Sequence, residues 1–435
     1  MDFLYTFLTF LQPGILWPEL AAYRPILMLS LVAAAAGLAR RPHYPRGVAF
    51  AQPAFRYVVF FILAQVLSVY YGGGLSMLNE LGFWYIYPMF IVLSILLINS
   101  VSALKRYVWG MLTGSMVIVL YGFYAVYAMS AAYHGRAGAY GMYQNHNDYS
   151  FIIIMIVPFL YLYWRVETGK FRRLLLILSL LACVAGIFLS LSRGGMLTLV
   201  LEFGLIVLFT IQNKKQRVIW LLLLVLSGVA AVGYQWMARA AQGESYTYED
   251  AEDSRIELWK AAKNMALAHP LLGVGSRRFP EYSRDYFDLS HDQFGKVAHN
   301  TYLEIIATSG LLGLVPFLLM IRSMVRALKV PAGSSAPQYL DVTRMATLIT
   351  LYAIMFRALF DAKSYDWSFY ILCTIAIACA ALRYSLQTGG ETIEGSSANP
   401  AQSMKTGKEG LPKGRVHDGQ QRDKVVASVG TPVVE

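Results

Sequence analysis

Residues 172–211 read RRLLLILSLLACVAGIFLSLSRGGMLTLVLEFGLIVLFTI: two apolar stretches, 172–190 and 194–211, meeting at Ser192-Arg193-Gly194-Gly195. Each is close to the roughly 20 residues with which an α-helix crosses a bilayer. No charged residue falls between Arg173 and Arg193. The same ruler, carried outward, gives spans near 3–19, 25–39, 55–71, 83–99, 107–130 and 149–165 on one side. On the other it gives 217–237, 302–328, 343–360 and 366–384, about twelve in all.

Composition leads to the same class. The chain has 435 residues, of which 57% are hydrophobic and 14% charged, against roughly 25% charged in soluble proteins. A soluble chain of this length would form about three domains, each needing a charged coat. A disordered chain would be poor in apolar residues. Cys183, Cys373 and Cys379 lie in apolar runs and offer no disulfide framework. The expected fold is an all-α polytopic membrane protein.

Lys and Arg accumulate on the cytoplasmic side of membrane proteins. With the N-terminus inside, the cytoplasmic loops carry Arg40, Arg41, Arg46 and Arg56; Lys105 and Arg106; Arg165, Lys170, Arg172 and Arg173. Further along they carry Lys214, Lys215 and Arg217, then Arg322, Arg326, Lys329 and Arg344. The short outer loops hold only Arg24, Arg136, Arg193 and Lys363. Met1-Asp2-Phe3 lacks the basic start of a signal peptide, so the first segment is expected to be retained. Both termini are expected in the cytoplasm.

The chain then divides into spans 1–9 (1–237), a large periplasmic loop (238–300), spans 10–12 (301–386) and a disordered tail (387–435). The tail holds six basic and six acidic residues, so the net charge of +11 belongs to the rest. Within the loop, Ser254–Ala268 places Ile256, Trp259, Ala262, Met265 and Ala266 on one face of an amphipathic helix. Asp253 or Ser254 would cap it and His269-Pro270 would end it.

The informative cations are those that topology leaves unexplained. Arg193 at a Gly-Gly reversal either snorkels to headgroups and complements a helix end, or binds an anion at a membrane cavity. Arg255, at the expected start of the loop helix, either pairs with Glu257 or Asp253 or grips a phosphate together with the helix N-terminus. Arg277 and Arg278 suit a surface or headgroup-facing role better than direct chemistry. His299 opens span 10 in AHNTYLEIIATSGLLGL (298–314), with Asn300 and Glu304 placed to orient it. It is either a structural hydrogen-bonder or a base near neutral pH. Arg136 and Asn147 are candidates for the same cavity. His134 and His146 match no standard zinc spacing, and the YEDAED stretch (248–253) reads as solvated loop. No metal, cofactor or nucleic acid is expected.

The order SLSRGG (190–195), RIELW (255–259), HPLLGVG (269–275) and HNTYLEIIATSGLLGL (299–314) resembles the O-antigen ligase and polymerase superfamily, over about residues 130–330. Many relatives carry an Arg-Gly stretch followed by Asn-Pro-Asn near the sixth span; here it reads GRAGAYGMYQNHNDY (135–149). The resemblance implies a GT-C-type glycosyltransferase of the bacterial inner membrane. It would move a glycan from undecaprenyl pyrophosphate to a hydroxyl acceptor on the periplasmic side, with inversion and without metal. Arg193 and Arg255 would hold the pyrophosphate and His299 would assist deprotonation, with Arg136, Asn147, Asn300, Glu304 and Arg277 binding substrate. The acceptor would be lipid A core for a ligase, a lipid-linked repeat for a polymerase, or a protein for an O-oligosaccharyltransferase. A twelve-span secondary transporter is the competing class. It is disfavoured by the absence of an internal repeat and by charges gathered at one face instead of the midplane.

Overall fold

A computed structural model describes residues 1–39, 46–73, 78–129, 135–241, 248–331, 333, 336–362 and 366–394. Its regular elements are helices: α1 (Asp2–Leu11), α2 (Pro13–Leu16), α3 (Pro25–Ala39), α4 (Arg46–Phe50), α5 (Pro53–Gly73), α6 (Leu78–Leu97), α7 (Val101–Ala128) and α8 (His146–Val166). They continue with α9 (Lys170–Ser190), α10 (Arg193–Thr210), α11 (Lys214–Ala241), α12 (Tyr248–Ala268), α13 (Phe279–Tyr286), α14 (Thr301–Lys329), α15 (Gln338–Arg357) and α16 (Trp367–Glu394). The chain is an all-α polytopic membrane protein.

Among the described residues nine helices are long and apolar enough to span a bilayer, and Pro25–Ala39 and Ile86–Leu97 are shorter apolar segments. The expected span 3–19 is not one helix. Gln12 adopts a left-handed conformation (φ 49°) just before Pro13, and the chain breaks into α1, α2 and a 3-10 turn at Pro18–Tyr23. Proline removes the N–H that would continue the ladder. At the other end α16 runs to Glu394, past the boundary expected at 386. His134, Lys363, Arg40, Arg41 and residues 395–435 lie outside the described residues.

Burial sorts the spans. The apolar window of α8 is 78% buried and that of α11 only 6%, so α8 is a central helix and α11 a peripheral one that presents its apolar surface outward. Bulky side chains of α8 need small partners: the Tyr149 ring fills the space where Gly122 of α7 and Gly186 of α9 have no side chain.

A second device joins α12 to α14. At Gly310 (φ 61°, ψ −161°) α14 breaks, which frees carbonyls below and N–H groups above. The HPLLGVG strap takes both. Val274 and Gly275 donate to the carbonyls of Ala307 and Thr308 (3.0 Å each), and Leu311 and Leu312 donate to Pro270 and Leu271 (2.8 and 3.1 Å). The Ser68 hydroxyl also donates to the Thr308 carbonyl (2.6 Å). Irregular backbone is tolerated within a helical membrane protein when protein groups satisfy it in this way.

Candidate functional site

The loop helix α12 starts at Tyr248, so Arg255 lies two turns inside it and not at its N-terminus as the sequence led us to expect. A phosphate grip that depends on free N–H groups beside Arg255 is therefore ruled out, since those groups lie in the first turn. Leu258, Ala261, Ala262 and Met265 are fully buried, packed with Val274, Phe279, Leu289, Ala298 and Ala307. The buried face is thus rotated from the expected one: Ile256 is exposed at 37%, and Trp259 donates its indole N–H to the Ala298 carbonyl (3.0 Å). Glu257 takes the hydroxyl and N–H of Ser290 (2.6 and 2.9 Å), so it is committed away from Arg255.

The turn at Arg193 also differs in its cause. The reversal is made by Leu191 (φ 50°), not by the glycines; Ser192 caps α10, whose first residue is Arg193. Gly195 serves close approach, since a Cβ there would stand 2.8 Å from Cβ and Oγ of Ser150. The Ser192 hydroxyl donates to Asn147 Oδ1 (2.7 Å) and accepts the Gly195 N–H (3.2 Å), which locks the start of α10 to the start of α8. Arg136 braces this turn by donating to the carbonyls of Ser190 and Leu191 (3.1 and 3.3 Å). Those carbonyls are the orphan acceptors at the end of α9, where a cation is favourable.

One cavity of about 340 Å³ collects these elements. It is lined by Asn147, Arg193, Gly194, Leu197, Arg255, Ile256, Trp259, Arg357, Phe360 and Asp361. Three guanidinium groups therefore meet at one end of the helices, beside an apolar wall. Arg136 and Arg277 are not among the lining residues; Arg277 sits in a left-handed turn (φ 64°) after the strap.

Arg357 and Asp361 were not singled out in the sequence, because Arg357 hides inside the apolar run 343–360. Arg357 is 2% exposed. One of its nitrogens, Nη2, donates to the Asn147 carbonyl (2.6 Å), the Ser150 hydroxyl (2.9 Å) and Asp361 (3.4 Å). Its Nε and Nη1 are buried without a partner. Burial pushes the Asp361 carboxyl up, and the neighbouring Arg357 partly offsets that. The available signal was an ionisable residue within a span, which is costly and marks function by default.

His299 does not line the cavity but adjoins it. Thr301 donates its N–H to the Ala358 carbonyl (2.8 Å) and its hydroxyl to the Asp361 carbonyl (2.7 Å), and Asn300 Nδ2 donates to Leu359 (3.2 Å). These bonds stitch the start of α14 to the turn that carries Asp361. Asn300 and Glu304 are occupied otherwise than in orienting the imidazole. Asn300 Oδ1 caps α14 through the N–H of Tyr302 and Leu303, and Glu304 accepts the Ala298 N–H (2.7 Å). They fix the backbone on both sides of His299, which is itself left-handed (φ 49°). Burial, helped by the nearby charges of Arg255 and Lys296, lowers the imidazole to about 4, so it is neutral at pH 7.

The fold and this site define a class: a polytopic helical membrane protein with a cation-lined cavity at the ends of its helices. Residues 176–318 match the family model described as O-Antigen ligase, in agreement with the resemblance carried by the motifs. The matched stretch contains Arg193, Arg255, Arg277, His299, Asn300 and Glu304; Asn147, Arg357 and Asp361 lie outside it. No curated protein matches the chain.

Proposed function

We propose that the chain transfers a glycan from undecaprenyl pyrophosphate to a hydroxyl acceptor, the lipid A core, on the periplasmic face of the bacterial inner membrane. The observation that carries this reading is three arginines around one cavity with an apolar wall. Arg193 and Arg357 reach the cavity from membrane helices and Arg255 from the loop helix. A pyrophosphate needs cationic donors in fork geometry, and a polyprenyl tail needs an apolar exit.

In the proposed reaction the acceptor oxygen attacks the anomeric carbon from the face opposite the phosphate. The C–O bond to phosphate breaks, and undecaprenyl pyrophosphate leaves with its electron pair. The hydroxyl proton passes to His299, and the anomeric configuration inverts. Charge develops on the departing phosphate, and preorganised cations there are worth about 10²–10³ in rate for each donor group removed. No metal is required for this balance.

The depressed basicity of His299 has a use in such a site. Part of it comes from Arg255. A bound pyrophosphate offsets that positive charge and so raises the imidazole pKa, which makes His299 a better base when donor is present.

The same residues would serve a polymerase whose acceptor is a lipid-linked repeat. The surface glycan of a deletion strain, resolved on a gel, separates the two. Loss of a ligase leaves bare lipid A core while long chains stay on the carrier. Loss of a polymerase leaves core bearing a single repeat, which would overturn the ligase assignment.

A further inference from the structure

A second cavity, about 330 Å³ in volume, is lined by Pro280, Glu281, Ser283, Arg284, Phe294 and Gly295. Its size falls at the lower end of ligand-binding clefts. The residues come from α13 and from the turn that leads into His299. Phe294 leaves 43% of its surface exposed although the frame beneath it is rigid: Phe279 and Ser283 are buried at 0 and 1%, Gln293 at 2%. The Arg284 guanidinium lies 6.0 Å from the Phe294 ring, and the His291 ring packs on it at 5.2 Å. The cleft thus offers an open aromatic face, a cation and the Glu281 carboxylate, which is 60% exposed and held on one side by Arg278 (2.9 Å).

That combination is the chemistry of carbohydrate recognition. A sugar ring has an apolar C–H face that covers an aromatic ring, and a rim of hydroxyls that pair with planar charged groups. An aromatic held on a rigid frame gives contact area at little conformational cost. The cleft also lies close in sequence to the proposed chemistry. His299 is five positions on from Phe294, and an extended chain spans at most about 3.3–3.6 Å per residue. The Cα atoms of Phe294 and His299 therefore lie within about 18 Å of each other, a separation on the scale of a short oligosaccharide.

We propose that this cleft is the acceptor subsite and that it binds the acceptor glycan through Phe294, Arg284 and Glu281. The proposal rests on the transfer reading above and deepens it, assigning the donor to the arginine cavity and the acceptor to α13. The membrane-side cavity would hold the pyrophosphate, and the second cleft a neutral or anionic oligosaccharide.

The test is direct binding, with the full chain in detergent micelles and saturation-transfer NMR on two probes, deacylated core oligosaccharide and a free repeat-unit oligosaccharide. Saturation of the core oligosaccharide by the unaltered chain supports a ligase-type acceptor; saturation of the repeat unit supports a polymerase-type one. Phe294→Ala and Arg284→Ala should weaken either by about tenfold or more, and Phe294→Trp, which keeps an aromatic face, should retain binding. Arg284 is exposed, so its substitution guards against misfolding as the explanation. Unchanged binding in both alanine variants, or no binding of either probe by the unaltered chain, overturns the proposal. Because no donor is present, failure of the transfer reading is seen separately, as a chain that binds oligosaccharide yet releases no undecaprenyl pyrophosphate.

Discussion

A buried guanidinium with two unpartnered nitrogens costs free energy unless a ligand takes them. Unmet buried polar groups cost about 1–3 kcal/mol each, and more when charged. Arg357 carries such a deficit at the cavity, so a bound anion should recover it. Arg357→Lys keeps the charge but loses the fork; it should insert normally yet lose donor affinity by about tenfold or more, as expected for a charge-assisted bond worth about 1.5–3 kcal/mol. Titration of the purified variant with undecaprenyl pyrophosphate checks this, and near-normal affinity would mean that charge alone suffices. His299 gives a second expectation. With the imidazole lowered from its usual 6.5 to about 4, the unfolded chain binds the extra proton as pH falls. Stability contributed at neutral pH is therefore lost as pH drops from about 6.5 towards about 4. The acid limb of kcat/KM, which reports the free enzyme, should likewise lie well below 6.5. A limb at 6.5 in the profile of the unaltered chain would place His299 in water.

At the scale of elements, the joints carry more information than the spans. Gly310 cannot accept a side chain without a shift: a Cβ there would stand 2.3 Å from Leu271 backbone, at a φ of 61° that only glycine adopts readily. Gly310→Ala should loosen the strap and lower the thermal midpoint, while Gly313→Ala, in contact with the Ser309 side chain, provides a comparison on the same helix. Unequal losses, greater at Gly310, are expected in a melting series; equal ones would show that the strap does not define the joint. Much of this level was legible in advance. Apolar length gave α5, α7–α11 and α14–α16 with ends shifted by up to about six residues, apart from the C-terminal end of α16, because lipid imposes a simple rule on composition. The joints were not. Leu191 makes the turn credited to Gly194-Gly195, since an apolar residue in the left-handed region leaves no mark in a sequence. The missing half of the cavity was hidden for a related reason: Arg357 meets Asn147 across 210 residues of sequence, and no local pattern records that contact.

For the molecule as a whole, the three arginines and His299 come from four distant stretches that the helix bundle brings to one end. The expected sidedness, with that end in the periplasm, can be read by labelling from outside the cell. Cysteines placed near Arg193 and Phe294 should react with an impermeant reagent, and one beside Lys214 should not; the reverse pattern would exclude a periplasmic reaction. The compact unit Met1–Gln387 holds both cavities, so a chain ending at Gln387 should keep its transfer activity, and loss of activity would assign a role to the remaining residues.

The central claim is that guanidinium groups carry the departing pyrophosphate beside an imidazole. Its most direct test is release of undecaprenyl pyrophosphate by the purified chain in the presence of a chelator, compared among the unaltered protein, Arg193→Ala, Arg255→Ala and His299→Ala. The account predicts acceptor-dependent release by the unaltered protein and a loss of about 10²–10³ in each variant, all of them still folded in the membrane. Full release by any two of the variants would contradict it.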